Sequence, residues 1–352
     1  MIKPRETLEK VVPYFVPDIK RRDFIRLDLN ENNIGCSPRI LEFLKSCSYD
    51  ALSMYADYDL LYDVVCKKYG ISKDNVIFSN GADDSLRIIF ATYGKENEIL
   101  LTLFPTYSMY KIFADIIGMK TVTIEYNQDF SFPENAFFEA IKHYKPSIIA
   151  IANPPNPIGF YLSEKFIRKI IEFASDSVVI IDETYIDFAG DSFVPLIKDY
   201  NNVFVVYTLS KLHALAGLRI GFTFSDKNNI QNLSKINLPY ALNSIAVNAA
   251  IISLEDTEHI KYIKDYVNKE KEFFMQKLKD YGVVISDANF ILLKSSKFSD
   301  VIMKEFYKNS ILIKKINYDC LFKNYLRITI STHEINQKVV DIIKGVFEYG
   351  RR

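Results

Sequence analysis

The sequence predicts an α/β fold with a large, mostly parallel sheet domain, flanked by helices, and a smaller α+β domain near the carboxyl terminus. Two observations predict it. Over about the first 250 residues, short runs rich in β-branched residues alternate with longer amphipathic segments, which is the pattern of βαβ units. These runs are almost continuously apolar, as expected for strands that are covered on both faces.

The predicted elements follow one another along the chain. The strand-like runs NVIFSN, EILLTLF and KTVTIEY are separated by the helical segments GADDSLRIIFATYG and PTYSMYKIFADIIG. Later strand-like runs are SIIAIAN, SVVIIDE, VFVVYTL and RIGFTFS. The segment EHIKYIKDYVNKEKEFFMQKLKDYG predicts a long helix that stops at Gly282. Strands are then predicted in VVISDANFILLKS, ILIKKI and YLRITIS, and helices in KFSDVIMKEFYKN and EINQKVVDIIKGVFEYG.

The change of pattern near residue 250 divides the chain. At 352 residues the sequence is too long for one ordinary core. We expect an N-terminal arm at 1–35 that contributes to the small domain, a large domain at 36–250 and a small C-terminal domain at 251–352.

Charge and cysteine usage exclude several function classes. Lys plus Arg and Asp plus Glu both number 44, so no overall field attracts nucleic acid or an anionic membrane. The four cysteines are far apart and form no CxxC pair, which disfavours a zinc site or a disulfide scaffold. With no secretory signal and no apolar stretch long enough to span a membrane, a cytoplasmic protein without a metal is expected.

Polar residues cluster at the predicted carboxyl ends of the strands, where ligands collect in parallel α/β sheets. A carboxylate, a lysine, an amide and a helix start that can bind an anion come together at these ends. The residues are Gly81, Asn153, Asn156, Asp182, Glu183, Thr208, Ser210 and Lys211.

Taken together, these segments resemble a known family. TLSKLHALAGLRIGF is similar to the lysine segment of fold-type I pyridoxal-phosphate aminotransferases. NEN, NGADD, PTYSMY, NPPNPIG, IDETY and LRITIST follow the order found in that family, and the resemblance is strongest to histidinol-phosphate aminotransferases. It extends from about Tyr14 to Thr332.

The resemblance implies three catalytic residues. Lys211 is the amine that condenses with the cofactor aldehyde, and Asp182 is the carboxylate that keeps the cofactor ring nitrogen protonated. Tyr185, together with Asn156, holds the ring hydroxyl. The simpler interpretations are a surface lysine, a helix-capping aspartate, a core tyrosine and a turn asparagine.

The same resemblance implies how the cofactor is bound. Arg219 offers the phosphate a bidentate guanidinium, and Gly217 is expected to let the chain turn between Lys211 and Arg219. Tyr107 stacks on the ring, and Tyr55 reaches the phosphate of a neighbouring subunit in a homodimer. The remaining phosphate contacts are expected from Ala82, Asp83, Thr208 and Ser210.

Substrate contacts are also implied. Arg327 matches the arginine that clamps the α-carboxylate of the amino donor, and it can accept a phosphate in the second half-reaction. Tyr14, Asn30 and Glu31 match an N-terminal segment that folds over the site. A salt-bridged arginine and turn or capping residues are the structural alternatives.

The implied activity is biosynthetic transfer of an amino group between L-glutamate and a small phosphorylated ketone, either imidazole acetol phosphate or a smaller one such as dihydroxyacetone phosphate. NPIG, IST and the missing arginine before Tyr55 depart from the family pattern and leave the ketone open. The alternatives are a phospho-amino-acid decarboxylase and an aromatic amino acid aminotransferase. A non-catalytic binding module is disfavoured because Lys211 and Asp182 are both present, and a dinucleotide-binding dehydrogenase because GxGxxG is missing.

Overall fold

The computed structural model describes residues 2–14 and 19–349. Its strands are β1 Ile25–Arg26, β2 Val76–Ser79, β3 Ile99–Phe104, β4 Lys120–Glu125, β5 Ile148–Ala152, β6 Val178–Asp182, β7 Val203–Thr208, β8 Gly221–Phe224, β9 Val283–Ile285, β10 Phe290–Lys294, β11 Ile311–Leu312, β12 Lys314–Lys315 and β13 Tyr325–Thr329. Its α-helices are α1 Pro38–Ser46, α2 Asp50–Ser53, α3 Asp59–Tyr69, α4 Ala82–Tyr93, α5 Met109–Ile117, α6 Glu134–Tyr144, α7 Glu164–Phe173, α8 Lys227–Ser234, α9 Ser244–Glu255, α10 Thr257–Leu278, α11 Ser299–Lys308 and α12 His333–Tyr349.

Seven strands form the large sheet, in the order β2-β8-β7-β6-β5-β3-β4. The pairs from β7 to β4 are all parallel, and only β8 runs antiparallel to its neighbours β2 and β7. Each strand-like run predicted in this part of the sequence forms one of these strands. The prediction of a large, mostly parallel sheet is therefore confirmed.

Both faces of this sheet are covered by helices. On β5, Ile149 and Ile151 pack with α3, α6, α7 and α9, whereas Ile148 and Ala150 pack with α4, α5 and α8 on the opposite face. Because consecutive strand residues point to opposite faces, a strand buried on both sides must be apolar throughout. Each large apolar side chain buried in this way stabilises the fold by about 1.5–3 kcal/mol.

A second, antiparallel sheet lies beside the first, with the order β12-β13-β10-β9. On β10, Phe290 and Leu292 join the core of the large sheet, while Ile291 and Leu293 pack with α10, α11 and α12. The ILIKKI run is interrupted at Ile313, so that β11 pairs with β1 and β12 pairs with β13. The N-terminal segment is thereby attached to the C-terminal elements.

The long predicted helix ends slightly before its expected stop. Helix α10 begins after Asp256, whose side chain accepts a hydrogen bond from the His259 amide at 3.2 Å. After Leu278 a 3-10 turn continues to Tyr281, and Gly282 takes a φ of 80°. That positive φ is the usual role of glycine after a helix. Within residues 2–14 and 19–349, none of the helices has the length and apolarity needed to cross a membrane.

The expected domain boundaries stay a prediction. Residue 250 lies inside α9, which packs with the helices beside the large sheet. The expected arm at 1–35 includes residues 1 and 15–18, which lie outside the described part of the chain.

Candidate active site

A cavity of about 450 Å³ opens at the carboxyl edge of the large sheet. Ala152, Asp182 and Thr208 line it, and they are the last residues of β5, β6 and β7. The start of α4 and the segment before α5 complete this wall. The volume lies in the range of small-molecule sites, and the position is where parallel α/β sheets bind ligands.

The structure brings most of the predicted site residues together. The predicted residues that line the cavity are Tyr14, Glu31, Ala82, Asp83, Tyr107, Asn156, Asp182, Tyr185, Thr208, Ser210, Lys211, Arg219 and Arg327. Two do not line it. Asn30 is fully buried behind the wall and donates a hydrogen bond to the Tyr185 hydroxyl at 2.8 Å. Tyr55 is 79% exposed and stacks on Tyr240, with 4.3 Å between ring centroids.

Lys211 follows β7 in a turn at the floor of the cavity. Its Nζ donates to the Leu29 carbonyl at 2.8 Å and lies 5.7 Å from the centroid of the Tyr185 ring. Gly217 lies in a 3-10 turn, Ala216–Leu218, between Lys211 and Arg219. The positive φ angles of this segment belong to Ala214 (57°) and Arg219 (53°), so the turn does not use the left-handed conformation that glycine permits.

Asp182 is a buried carboxylate with three hydrogen-bond donors. Its Oδ1 accepts from the Thr184 amide at 3.0 Å and from the Thr184 hydroxyl at 2.6 Å. Its Oδ2 accepts from the Tyr110 hydroxyl at 2.7 Å. Burial raises the pKa of Asp182, and the bonds from Thr184 and Tyr110 oppose that rise.

An anion cradle lies where α4 meets Arg219. Gly81 precedes the helix with a φ of 84°, and a Cβ there would collide with the Arg219 guanidinium. The Arg219 Nη2 donates to Asp83 at 3.1 Å, and the Tyr107 hydroxyl donates to the same carboxylate at 2.6 Å. Because Arg219 and Asp83 are both about 40% or more exposed, this ion pair contributes little stability. The guanidinium is therefore available to a stronger anion.

The Thr208 and Ser210 hydroxyls lie 2.9 Å apart beside this cradle. Both residues also line the cavity. Hydroxyls, helix-terminal amides and a guanidinium form a donor set that suits a phosphate group.

Arg327 on β13 is a buried cation. Its Nη1 donates to Asn156 Oδ1 and its Nη2 to the Asp28 carbonyl. Its Nε is buried without a hydrogen-bond partner, and burial lowers the pKa of the guanidinium. Among the described residues no carboxylate forms an ion pair with it, so an anionic ligand would be its natural partner.

Sequence reasoning missed Lys314, which also lines the cavity. Lys314 on β12 lies directly opposite Arg327 on β13 in the antiparallel register. Partial burial, together with the nearby charge of Arg327, lowers the pKa of Lys314. Its neighbour Lys315 also lines the cavity, but the Lys315 ammonium is paired with Asp300 at 2.7 Å. The two lysines in ILIKKI are the only feature of the sequence that points to Lys314. The strand pairing that places Lys314 beside Arg327 could not be predicted from the sequence.

The residues present fit pyridoxal phosphate. A lysine amine, a buried carboxylate and an anion cradle all open into one cavity, which matches the aldehyde, ring nitrogen and phosphate of that group. The Tyr185 and Asn156 side chains line the same cavity.

Comparisons with known proteins show the family to which the chain belongs. The model for the family "Aminotransferase class I and II" matches residues 22–343. A histidinol-phosphate aminotransferase of Clostridium acetobutylicum is 34% identical over 349 residues, covering 96% of this chain and 97% of that protein. One from Clostridium botulinum strain Okra is 34% identical over 336 residues, covering 93% of each.

Solved structures share the fold. The crystal structure of histidinol-phosphate aminotransferase from Sinorhizobium meliloti in complex with pyridoxal-5'-phosphate superposes with a TM-score of 0.87 at 22% identity, covering 98% of this chain and 99% of that one. The chain therefore belongs to the class I and II aminotransferases and is a fold-type I, pyridoxal-phosphate-dependent enzyme similar to histidinol-phosphate aminotransferases.

Proposed function

We propose that this aminotransferase moves an amino group between L-glutamate and a small phosphorylated ketone, either imidazole acetol phosphate or a smaller one such as dihydroxyacetone phosphate. The observation that carries the proposal is the pair of cations Arg327 and Lys314 on one wall of the cavity. Neither is paired with a carboxylate among the described residues. Two adjacent cations suit substrates that carry a carboxylate or a phosphate.

In this proposal Arg327 binds the α-carboxylate of glutamate through its guanidinium. Lys314 adds a second positive charge for the phosphate of the ketone. Tyr14 and Glu31 line the cavity, and Asn30 supports Tyr185 from behind through its 2.8 Å hydrogen bond. These contacts orient the substrate over Lys211.

The chemical step is assigned to Lys211. When bound, pyridoxal phosphate supplies the aldehyde that carries the nitrogen and the ring that withdraws electrons from the substrate carbon. The Lys211 amine would take the proton from the substrate Cα and deliver it to the former aldehyde carbon of the cofactor. Asp182, as the anion, would keep the ring nitrogen protonated, and Tyr185 and Asn156 would bind the ring hydroxyl. Arg219, with Ser210, Thr208 and the first amides of α4 at Ala82 and Asp83, binds the phosphate, and Tyr107 packs on the ring.

A homodimer in the cytoplasm completes the proposal. Tyr55 is exposed and lies outside the cavity of its own chain, which suits the expected contact with the neighbouring subunit's cofactor phosphate.

The test is a substrate panel. The purified enzyme with pyridoxal phosphate and glutamate is incubated with imidazole acetol phosphate, dihydroxyacetone phosphate and phenylpyruvate, and 2-oxoglutarate is measured. We expect turnover with at least one phosphorylated ketone. Turnover of phenylpyruvate alone would instead establish an aromatic aminotransferase, and carbon dioxide release from phosphothreonine or phosphoserine without keto-acid formation would establish a decarboxylase.

A further inference from the structure

A buried tyrosine outside the cavity contacts the carboxylate at its floor. Tyr110 lies in the first turn of α5 and is fully buried, and its hydroxyl donates to Asp182 Oδ2 at 2.7 Å. Tyr107, three residues earlier, lines the cavity instead and donates to Asp83. The two rings meet edge to face, with centroids 5.8 Å apart. The PTYSMY segment thus donates one hydroxyl hydrogen bond to Asp83 and another to Asp182.

The donors around Asp182 leave part of it free. An ionised carboxylate has about four acceptor positions, and the Thr184 amide, the Thr184 hydroxyl and the Tyr110 hydroxyl occupy three of them. Because Asp182 also lines the cavity, the remaining position is available to a ligand there.

These donors act against the cost of burial. Asp182 is buried, and Asp83 is the nearby charge that further disfavours its ionised form. No lysine or arginine forms an ion pair with Asp182 within the described residues. Hydrogen bonds from Thr184 and Tyr110 are therefore what stabilises the anion before a ligand binds.

We propose that Tyr110 is a positioning residue which, with Thr184, keeps Asp182 ionised and directs its free acceptor position at the ring nitrogen of pyridoxal phosphate. This inference rests on the proposed role of Asp182. Tyr110 itself touches neither cofactor nor substrate. Without its hydroxyl the proton affinity of Asp182 rises, and the proton shared with the ring nitrogen moves toward the carboxylate.

The test is the ¹⁵N NMR signal of ring-labelled pyridoxal phosphate in the holoenzyme at neutral pH. In Tyr110→Phe we expect the signal to move toward that of an unprotonated pyridine. Thr184→Val, which removes the other hydroxyl, should move the signal in the same direction and serves if Tyr110→Phe folds poorly.

Tyr126→Phe is the matched control. The Tyr126 hydroxyl is also buried but has no hydrogen-bond partner among the described residues, so its removal should leave the ¹⁵N signal unchanged. Asp182→Asn tests the role of Asp182 toward the ring nitrogen separately from the positioning role of Tyr110. If Asp182→Asn moves the signal while Tyr110→Phe and Thr184→Val do not, the positioning role is overturned alone. If Asp182→Asn leaves the signal in place, the role of Asp182 fails together with it.

Discussion

At the scale of single residues, Lys314 and Arg327 place two cations on the wall of the cavity. Their side chains lie opposite one another because β12 and β13 pair in antiparallel register. The charge of Arg327 lowers the pKa of Lys314, and burial lowers the pKa of both groups. A bound anion would counter both effects, so the arrangement favours ligands with negative charge.

Lys314→Ala is expected to raise the KM for the phosphorylated ketone about tenfold to a hundredfold, since it removes a charge-assisted contact to phosphate. The KM for glutamate should change less, because Arg327 remains. Steady-state kinetics with each substrate varied in turn measures both constants. Lys315→Ala is the control, because its ammonium is already paired with Asp300. Equal effects of the two variants would contradict the role of Lys314.

The backbone conformation of Gly81 leads to a prediction for the anion cradle. Its φ is 84°, and a Cβ added to it would overlap the Arg219 guanidinium, so Gly81→Ala strains the backbone and displaces that side chain. We expect a loss of about 1 kcal/mol or more in stability and weaker cofactor binding. Chemical denaturation and a cofactor titration measure these effects.

Gly345→Ala is the control for a glycine without these constraints. It lies in α12 with open space around the Cβ position, so the substitution should stabilise the protein by about 0.5–1 kcal/mol.

Unchanged cofactor affinity in Gly81→Ala would contradict the role of Arg219 as the phosphate ligand.

At the scale of elements, a chain of buried hydrogen bonds connects β7 and α9 to the turn that carries Lys211. Tyr207 on β7 donates its hydroxyl to Asp187 at 2.6 Å and lies 3.1 Å from His213 Nε2. His213 Nδ1 lies 2.7 Å from the Ser253 hydroxyl on α9. Since the Tyr207 proton is used by Asp187, His213 donates from Nε2. Burial keeps the ring neutral, so Nδ1 carries no proton and accepts from the Ser253 hydroxyl.

This chain predicts a pH dependence of stability. Burial lowers the pKa of His213 to about 4, whereas it is about 6.5 in the unfolded chain. The stabilisation is therefore present above about pH 6.5 and is lost as the pH falls toward 4, by up to about 3 kcal/mol. The free energy of unfolding measured from pH 7.5 to 4 checks this.

The histidine contribution is isolated by His213→Phe. The variant should lose the part of the acid dependence that comes from His213, whereas His143→Gln, at an exposed site on α6, should follow the wild-type curve. An unaltered slope in His213→Phe would refute the assignment.

The elements also reveal how far the sequence could predict this site. Asp182, Thr208 and Lys211 were predictable because a nearly continuous apolar run ends at a definite residue, and parallel strands bring such ends to one edge. Tyr110 and Lys314 were not, because their roles depend on which residues face each other across separate elements. Gly217 does lie in a 3-10 turn, but the positive φ angles of this segment fall on Ala214 and Arg219, which no residue type in the sequence indicated.

At the scale of the whole molecule, exposed apolar side chains surround Tyr55. Large apolar residues on a surface often mark an interface with another chain. Those with more than half of their surface exposed in this region are Tyr49, Leu52, Met54, Tyr55, Leu60, Leu238 and Tyr240. A homodimer that covers them is the expected assembly.

Tyr55→Phe tests whether the neighbouring subunit completes the site. The variant keeps the ring that stacks on Tyr240 and removes only the hydroxyl, so sedimentation velocity should still find a dimer. The dissociation constant of the cofactor should rise several-fold, by about the effect of one hydrogen bond to a charged phosphate. A wild-type cofactor affinity in this variant would mean that Tyr55 makes no contact across the interface.

The assignment of every other site residue depends on Lys211 holding the cofactor, and borohydride reduction followed by peptide mass spectrometry is the decisive test of that bond. Reduction makes the bond between lysine and cofactor permanent, so the modified residue can be located. We expect a single phosphopyridoxyl group on Lys211 and none in Lys211→Ala. A label on a different lysine, or no label in a protein saturated with cofactor, would contradict this role.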